Sequence, residues 1–274
     1  MGAPEIIVVK LGGDVLEGTA LAAVAGSLQA VATQTPHALA VVHGGGAQVT
    51  ALAGRLGIET RMVGGRRITD AAALDVLQMV VAGKLNVGLC AALQERGVQA
   101  VGLHAGSGVL RARRRPPRVI SGAGPEPIDM GLVGDVVGFD LPLREALWAA
   151  SRVPVMSSLG LEGGAVLNLN ADLVASQLAA TLKAGSLVAV TAVGGVRRDK
   201  DDPSSRIGRL TVAEARQAIA DGIVQGGMIP KLEEAFAPLE AGVARVQIVA
   251  PAEIAAAVRD PGSVGTLLLP DSRA

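Results

Sequence analysis

Lys10 and Lys231 stand near opposite ends of a 274-residue chain, and each sits in a glycine-rich turn. The first belongs to Val8-Val9-Lys10-Leu11-Gly12-Gly13, the second to Gly226-Gly227-Met228-Ile229-Pro230-Lys231. A third glycine segment, Val41-Val42-His43-Gly44-Gly45-Gly46, carries no lysine. The segments at 8–13 and 41–46 follow apolar, β-branched runs and precede alanine-rich helical stretches. A glycine turn between strand and helix leaves backbone N–H groups open at the helix N-terminus, where they can hold an anion. Gly12 and Gly13 let the backbone approach a phosphate chain along which Lys10 can extend. Three glycines at 44–46 have an entropic cost that an ordinary turn does not require, so a close approach to a ligand is the better reading. Pro230, after glycines and at a first helical turn, describes another open N-terminus beside Lys231. The chemistry these segments suit is the holding and transfer of a phosphoryl group.

Asn168, Asn170 and Asp172 form the next constellation. They alternate, so an extended approach sets all three side chains on one side. Asp172 also stands where a helix begins, which leaves two readings: a helix N-cap, or an acid that holds two lysines in register without being phosphorylated. Arg66 and Arg67 follow Gly64-Gly65 and precede Ile68-Thr69-Asp70. An arginine fork there can grip a carboxylate, and a solvated surface pair is the plainer alternative. Thr69 or Asp70 would cap the long helix that follows. His43 reads as a structural residue at a strand end, with no acid nearby to orient it as a base. Neither a Gly-x-x-x-x-Gly-Lys-Ser/Thr loop nor a Gly-x-Gly-x-x-Gly turn after the first strand occurs, which weakens P-loop and dinucleotide readings.

Strands are expected near 5–10, 38–43, 99–103, 153–156, 186–191 and 245–249. Helices are expected over about 18–32, 46–56, 70–95, 142–150, 171–183, 211–220, 229–241 and 252–259. This alternation predicts an α/β fold with a mostly parallel sheet. Between Leu110 and Asp140 arginines, prolines and glycines break the pattern, and short β-hairpins or a lid fit better than a helix. Gly160 to Gly164 interrupts the pattern again. No linker is polar enough to separate independent domains, so two lobes of one continuous sheet are expected.

Half the residues are hydrophobic, while Phe139, Phe236 and Trp148 are the whole aromatic complement. The core must therefore be aliphatic, as buried parallel strands under alanine-rich helices require. Zero formal net charge and the scarcity of stacking platforms argue against nucleic acid as a partner. The lone Cys90 excludes an internal disulfide and a cysteine-rich metal site, and reads as core packing. No signal sequence is visible, because Glu5 and Lys10 bracket a strand too short for an apolar h-region. No uncharged apolar run approaches the ~20 residues of a membrane span. A soluble cytoplasmic protein is expected.

The ordered set Lys10-Leu-Gly-Gly13, His43-Gly-Gly-Gly46, Gly65-Arg-Arg-Ile-Thr-Asp70, Gly83-Lys-Leu-Asn86, Val133-Gly-Asp-Val136, Asn168-Leu-Asn-Ala-Asp172, Gly226-Gly-Met-Ile-Pro-Lys231 and Gly265-Thr266 resembles the amino-acid kinase family. The likeness runs nearly end to end and is closest to the branch acting on N-acetyl-L-glutamate. It implies a three-layer sandwich forming one domain over 1–274. Its N-terminal lobe, about 1–170, would serve the acid substrate and dimerisation, and its C-terminal lobe, about 171–274, the nucleotide. It implies an ATP-dependent kinase, with Mg²⁺ carried by the nucleotide, that makes an acyl phosphate on a side-chain carboxylate in arginine biosynthesis. By the same resemblance Lys10 and Lys231 stabilise the transferring group and Asp172 organises them. Gly12, Gly13 and Gly44 contact phosphate, while Gly45, Gly46, Arg67, Asn168 and Asn170 contact the acid. A carboxylate is already a nucleophile near neutral pH, so no general base is needed.

Three departures stand out. Arg66 occupies a position where the family commonly has leucine. Gly102-Leu-His-Ala-Gly-Ser-Gly108 lacks a familiar lysine and aspartate. Ala192 stands where an acid is expected near the nucleotide. They leave open a kinase for a related acylated or carrier-linked acid such as aminoadipate, and a non-catalytic ligand-binding homologue. A first strand beginning near Glu5 leaves no room for the N-terminal helix of the ring-forming, arginine-inhibited branch. A homodimer without arginine feedback is therefore expected, paired through the helix containing Leu74, Leu77, Val81 and Leu85.

Overall fold

Alternation along single strands sorts the aliphatic side chains into two cores. Ile7, Val9 and Leu11 join one core, and Val8 between them joins the other. A strand that is apolar on both faces must lie inside a sheet covered by helices on both sides. The computed structural model describes residues 5–34, 38–120, 124–199, 201–226 and 228–271. Gly227, part of the second lysine-bearing segment, lies outside them.

The chain runs through β1 (Ile6–Leu11), α1 (Gly18–Gln34), β2 (Ala38–His43), α2 (Gly46–Arg55), β3 (Met62–Val63), β4 (Arg66–Arg67) and α3 (Ala71–Leu77). A π-helical stretch, Gln78–Leu85, joins α3 to α4 (Asn86–Gln94). Then come β5 (Ala100–Leu103), β6 (Leu110–Arg114), β7 (Gly134–Phe139), α5 (Leu141–Ala149), β8 (Val153–Ser157), β9 (Leu159–Glu162) and β10 (Ala165–Asn168). The remainder is α6 (Ala171–Thr181), β11 (Ser186–Val190), β12 (Arg209–Thr211), α7 (Val212–Ala220), α8 (Met228–Glu240), β13 (Arg245–Val249), α9 (Ile254–Arg259) and β14 (Thr266–Leu269).

Eight strands form the main sheet in the order β12-β14-β13-β11-β1-β2-β8-β5. Only β13 against β14 is antiparallel, so the predicted mostly parallel α/β sheet is present. The six strands legible as apolar runs occupy six consecutive positions. Val24 and Leu28 of α1, with Leu89 and Leu93 of α4, cover one face. Val174 and Leu178 of α6, with Leu232 and Phe236 of α8, cover the other. Burying each such side chain is worth about 1.5–3 kcal/mol.

The segment from Leu110 to Asp140 contributes β6 and β7, which pair antiparallel with an irregularity between Arg111 and Ala112. With β9 and β10 they make a four-stranded sheet, and β3 pairs with β4 in a two-stranded hairpin.

One expectation about the long helix needs correction. By length and composition the helical run Ala71–Gln94 could cross a membrane, but Asp75 and Lys84 interrupt its apolar sequence and half of the decisive window is buried inside the protein. Leu74, Leu77, Val81 and Leu85 do not form a free pairing face, because they pack into the first core at 8, 5, 1 and 3% exposure. The sheet side of the helix has already claimed them. The large apolar side chains that point outward are Met79 and Val87, 58 and 65% exposed.

In open α/β sheets ligands collect beyond the carboxyl ends of the strands. Here β1, β2 and β11 end side by side at Leu11, His43 and Val190, which defines where the chemistry must be sought.

Candidate active site

Lys10, the penultimate residue of β1, lies in register with Val42 of β2 and Ala189 of β11. Its ammonium pairs with the Asp172 carboxylate of α6. Asn170 is the N-cap of α6: its Oδ1 accepts from the N–H groups of Asp172 and Leu173 at 2.7 and 3.1 Å. The capping reading of Asp172 is thereby answered. Asn170 takes the cap, and Asp172, one residue inside the helix, keeps its carboxylate for Lys10.

Three cavities line up across this pair. The first, about 310 Å³, is walled by Lys10, Gly12, Gly13, Gly44 to Gly46, Arg66, Arg67, Asn168 and Asp172, among others. A small one of about 30 Å³ is bounded by Lys10, Asp172, Lys231 and Glu234 with the apolar wall of Leu187, Val246 and Ile248. The largest, about 1050 Å³, is lined by Ala192, Val193, Gly195, Arg197 to Asp199, Ile223 to Gly226, Met228 and Lys231. The first and largest share no lining residue. Lys10 and Asp172 border the first and the small cavity, and Lys231 borders the small and the largest. The lysines distant in sequence thus meet around the connecting space.

The two glycine loops approach closely: a Cβ on Gly13 would lie 3.0 Å from the backbone Cα of Gly45, whereas one on Gly46 would meet open space. Gln48 holds the first loop from the other side, its Nε2 donating to Gly13 O at 2.7 Å.

Arg67 donates to Thr60 Oγ1 at 3.1 Å, to Gly46 O at 3.1 Å and to Thr50 Oγ1 at 2.8 Å. All three acceptors are neutral, so the guanidinium is aimed without being neutralised, and burial draws its pKa below the usual arginine range. The side chain of Arg66 beside it makes no ion pair or hydrogen bond among the described residues. Arg115, by contrast, is spent on Asp135. Asn168 Nδ2 donates to Thr69 Oγ1 at 3.0 Å and still borders the first cavity.

His43 is fully buried. Its Nδ1 donates to Gly44 O at 2.9 Å, which leaves Nε2 to accept from Asn86 Nδ2 at 2.9 Å. Asn86 Nδ2 also donates to Val155 O at 3.0 Å. Burial pushes the imidazole down to about 4, so it is neutral at physiological pH, as a structural residue should be. Burial likewise pushes Cys90 up to about 11, as befits an inert core thiol.

Two residues escaped the sequence reading. Asp14, in the turn after Gly13, accepts from Ala192 N–H through Oδ2 at 3.1 Å. A carboxylate therefore reaches the backbone at the position where the side chain lacks one. Glu234, one turn after Lys231 on α8, is the other. Its signal was hidden because Glu233-Glu234 on an amphipathic helix looks like a solvated face. The altered loop at 102–108 forms a capped turn over Ala105–Ser107, with Gly106 N–H donating to His104 Nδ1 at 3.1 Å.

Residues 5–250 match the amino acid kinase family. An acetylglutamate kinase from Anaeromyxobacter dehalogenans is 54% identical over 270 residues, spanning 97% of this chain and 99% of that protein. One from Sorangium cellulosum is 52% identical over 269 residues, 96% of this chain and 94% of its own length. Among solved structures, N-acetylglutamate synthase from Neisseria gonorrhoeae, complexed with coenzyme A and N-acetyl-glutamate, superposes with a TM-score of 0.80 at 27% identity. That match covers 98% of this chain but only 60% of the synthase chain. Giardia carbamate kinase, at 16% identity and a TM-score of 0.69 over 98% of this chain and all of its own, shares the fold.

Proposed function

Because the chain belongs to the amino acid kinase family, we propose that it transfers the γ-phosphoryl group of ATP to the side-chain carboxylate of N-acetyl-L-glutamate, as a step of arginine biosynthesis. The observation that carries this reading is the connected run of cavities, with Lys10, Asp172 and Lys231 around the narrow middle. A two-substrate transfer needs two separate chambers and a charged passage between them. The names of its relatives supply the acid.

The roles follow from charge. The acid lies in the first cavity, its α-carboxylate on Arg67 and its amide toward Asn168. Gly45, Gly46 and Asn170 complete that wall. ATP occupies the largest cavity, so the part of the chain up to about residue 170 serves the acid and the part from about 171 serves the nucleotide. The main obstacle is bringing two anions together. Lys10 and Lys231, with backbone N–H groups of Gly12, Gly13 and Gly44, offset it by stabilising charge that shifts onto the transferring group. Asp172 holds Lys10 in line. Its pairing with that lysine leaves Lys231 as the ammonium still to be matched.

In this reading Mg²⁺ arrives with ATP. When bound, the ion neutralises phosphate charge. We further propose a cytoplasmic homodimer that pairs through the outward stripe of the long helix around Met79 and Val87.

Coupled ADP release tests the reaction with N-acetyl-L-glutamate and its one-carbon-longer aminoadipate homologue. Turnover with the first supports the reading. Turnover confined to the second would favour the related-acid alternative that unpartnered Arg66 motivates, and none with either would overturn a kinase of acylated acids. Light scattering at micromolar concentration, comparing wild type with Val87→Asp, tests the dimer.

A further inference from the structure

Glu234 borders the small cavity together with Lys10, Asp172 and Lys231, yet the transfer described above has no use for it. Its surroundings can be enumerated. From α6 and its cap come Asp172 and Asn170, from β1 Lys10, from β4 Arg66, and from its own helix Lys231. Leu187 and Val246 supply apolar wall. Asn170 has committed its oxygen to capping α6, so its amide N–H is what meets the Glu234 carboxyl.

The charges in this space do not balance in a neutral way. Lys10 is paired with Asp172. The Lys231 side chain has no ion pair or hydrogen bond among the described residues, and residues three apart on a helix are neighbours. An ionised Glu234 would therefore find Lys231, on its own helix and on the same cavity wall, as an unclaimed cation. The two carboxylates and two ammoniums around the small cavity would then cancel, leaving only Arg66, on the wall of the first cavity, to offer positive charge to an anionic phosphoryl group.

We propose that Glu234 is a positioning residue that sets the availability of Lys231: as the neutral acid it donates to Asp172 and leaves that ammonium to the phosphoryl group, and as the carboxylate it claims it. Ionisation releases its proton to solvent, so nothing else need be exchanged. Burial and the adjacent Asp172 push this carboxyl up to about 7, with Lys10, Arg66 and Asn170 pulling the other way. Both forms are then populated near neutral pH. The inference rests on the kinase reading for what the charge is used for.

The test compares wild type with Glu234→Gln, which puts a hydrogen-bonding amide in place of the carboxyl and cannot ionise, and with Glu234→Ala as a second variant. The first measurement is kcat from pH 6.5 to 9. Wild type should fall toward tenfold per unit above pH 7, while both variants stay flat within about threefold. A merely structural role would lower kcat by the same factor at every pH. The second measurement, on free protein, is the ¹⁵N shift of Lys231 Nζ across the same range. It should move with a midpoint near neutrality in wild type and not in Glu234→Gln. Variant and wild-type kcat profiles of the same shape would overturn the proposal. If wild type turns over no acid, the kinase reading fails separately. The nitrogen titration then decides alone, and an unmoved Lys231 signal overturns the proposal.

Discussion

Two polar clusters lie one register step apart on adjacent strands, one fully buried and one half-buried, and they have opposite characters. On β2, His43 finds a donor and an acceptor for its two ring nitrogens, and Asn86 is bonded in turn. On β1, Lys10 enters a group of four charged or chargeable side chains with one ammonium left over. A network that satisfies itself rigidifies a core, whereas one left with unmatched charge is prepared for a ligand. The contrast teaches what divides scaffold from site besides depth. What separates them is whether the local sum of donors, acceptors and charges closes.

That contrast can be broken most sharply at Lys231. Lys231→Ala should reduce kcat by roughly a thousandfold, about 4 kcal/mol of transition-state stabilisation. Its urea midpoint should stay near wild type, since no partner is left stranded. Steady-state kinetics beside equilibrium unfolding decide it, and a large stability loss would contradict the separation.

Protonation sharpens the same contrast through stability. His43 is depressed from 6.5 to about 4, so its contribution is full above pH 6.5 and is lost as pH falls toward 4, roughly 3 kcal/mol between pH 7 and 4. Glu234 is raised from 4.5 to about 7, so its contribution is full below pH 4.5 and is lost as pH rises toward 7. In wild type the two oppose each other. Glu234→Gln should therefore be distinctly more acid-sensitive than wild type, as urea midpoints at pH 7 and pH 4.5 would reveal.

Asn86→Ala removes the donor from the closed cluster and leaves His43 Nε2 buried and unpaired. It should cost about 1–3 kcal/mol in unfolding free energy while kcat changes little. Arg67→Ala belongs to the other side of the comparison and carries the smallest effect. It should raise KM for the acid about tenfold, about 1.4 kcal/mol, with kcat nearly retained, because a remote carboxylate grip acts as uniform binding. A fall in kcat of the same size would move Arg67 into the transition state.

Legibility followed burial. β1, β2, β8, β11 and β13 could be read because strands covered on both faces are continuous apolar runs. At the sheet edge, β12 and β14 are three and four residues long, too short for a periodic signal. The second sheet was read only as a break, because β6 alternates buried Leu110 and Ala112 with exposed arginines, and β9 carries a glycine. The glycine loops and lysines announced themselves through residue type. Glu234 did not, since a helix surface and a cavity wall can use the same carboxyl. Nor did the partnership of Asn86 with His43, although an asparagine inside the apolar run from Val80 to Leu93 was its available clue.

The widened turn at Gln78–Leu85 has a consequence for how this helix can change length. Stretches of this kind accommodate an additional residue within an α-helix. Upstream of it Leu74 and Leu77 face the core; downstream, so do Asn86, Leu89 and Leu93. Each residue turns an α-helix by about 100°. Excising one from the stretch would swing one half against the other by that angle, withdrawing either the aliphatic pair or the asparagine from its seat. The segment is thus a tolerance already used up, and indels there should be rejected where conservative substitutions are accepted.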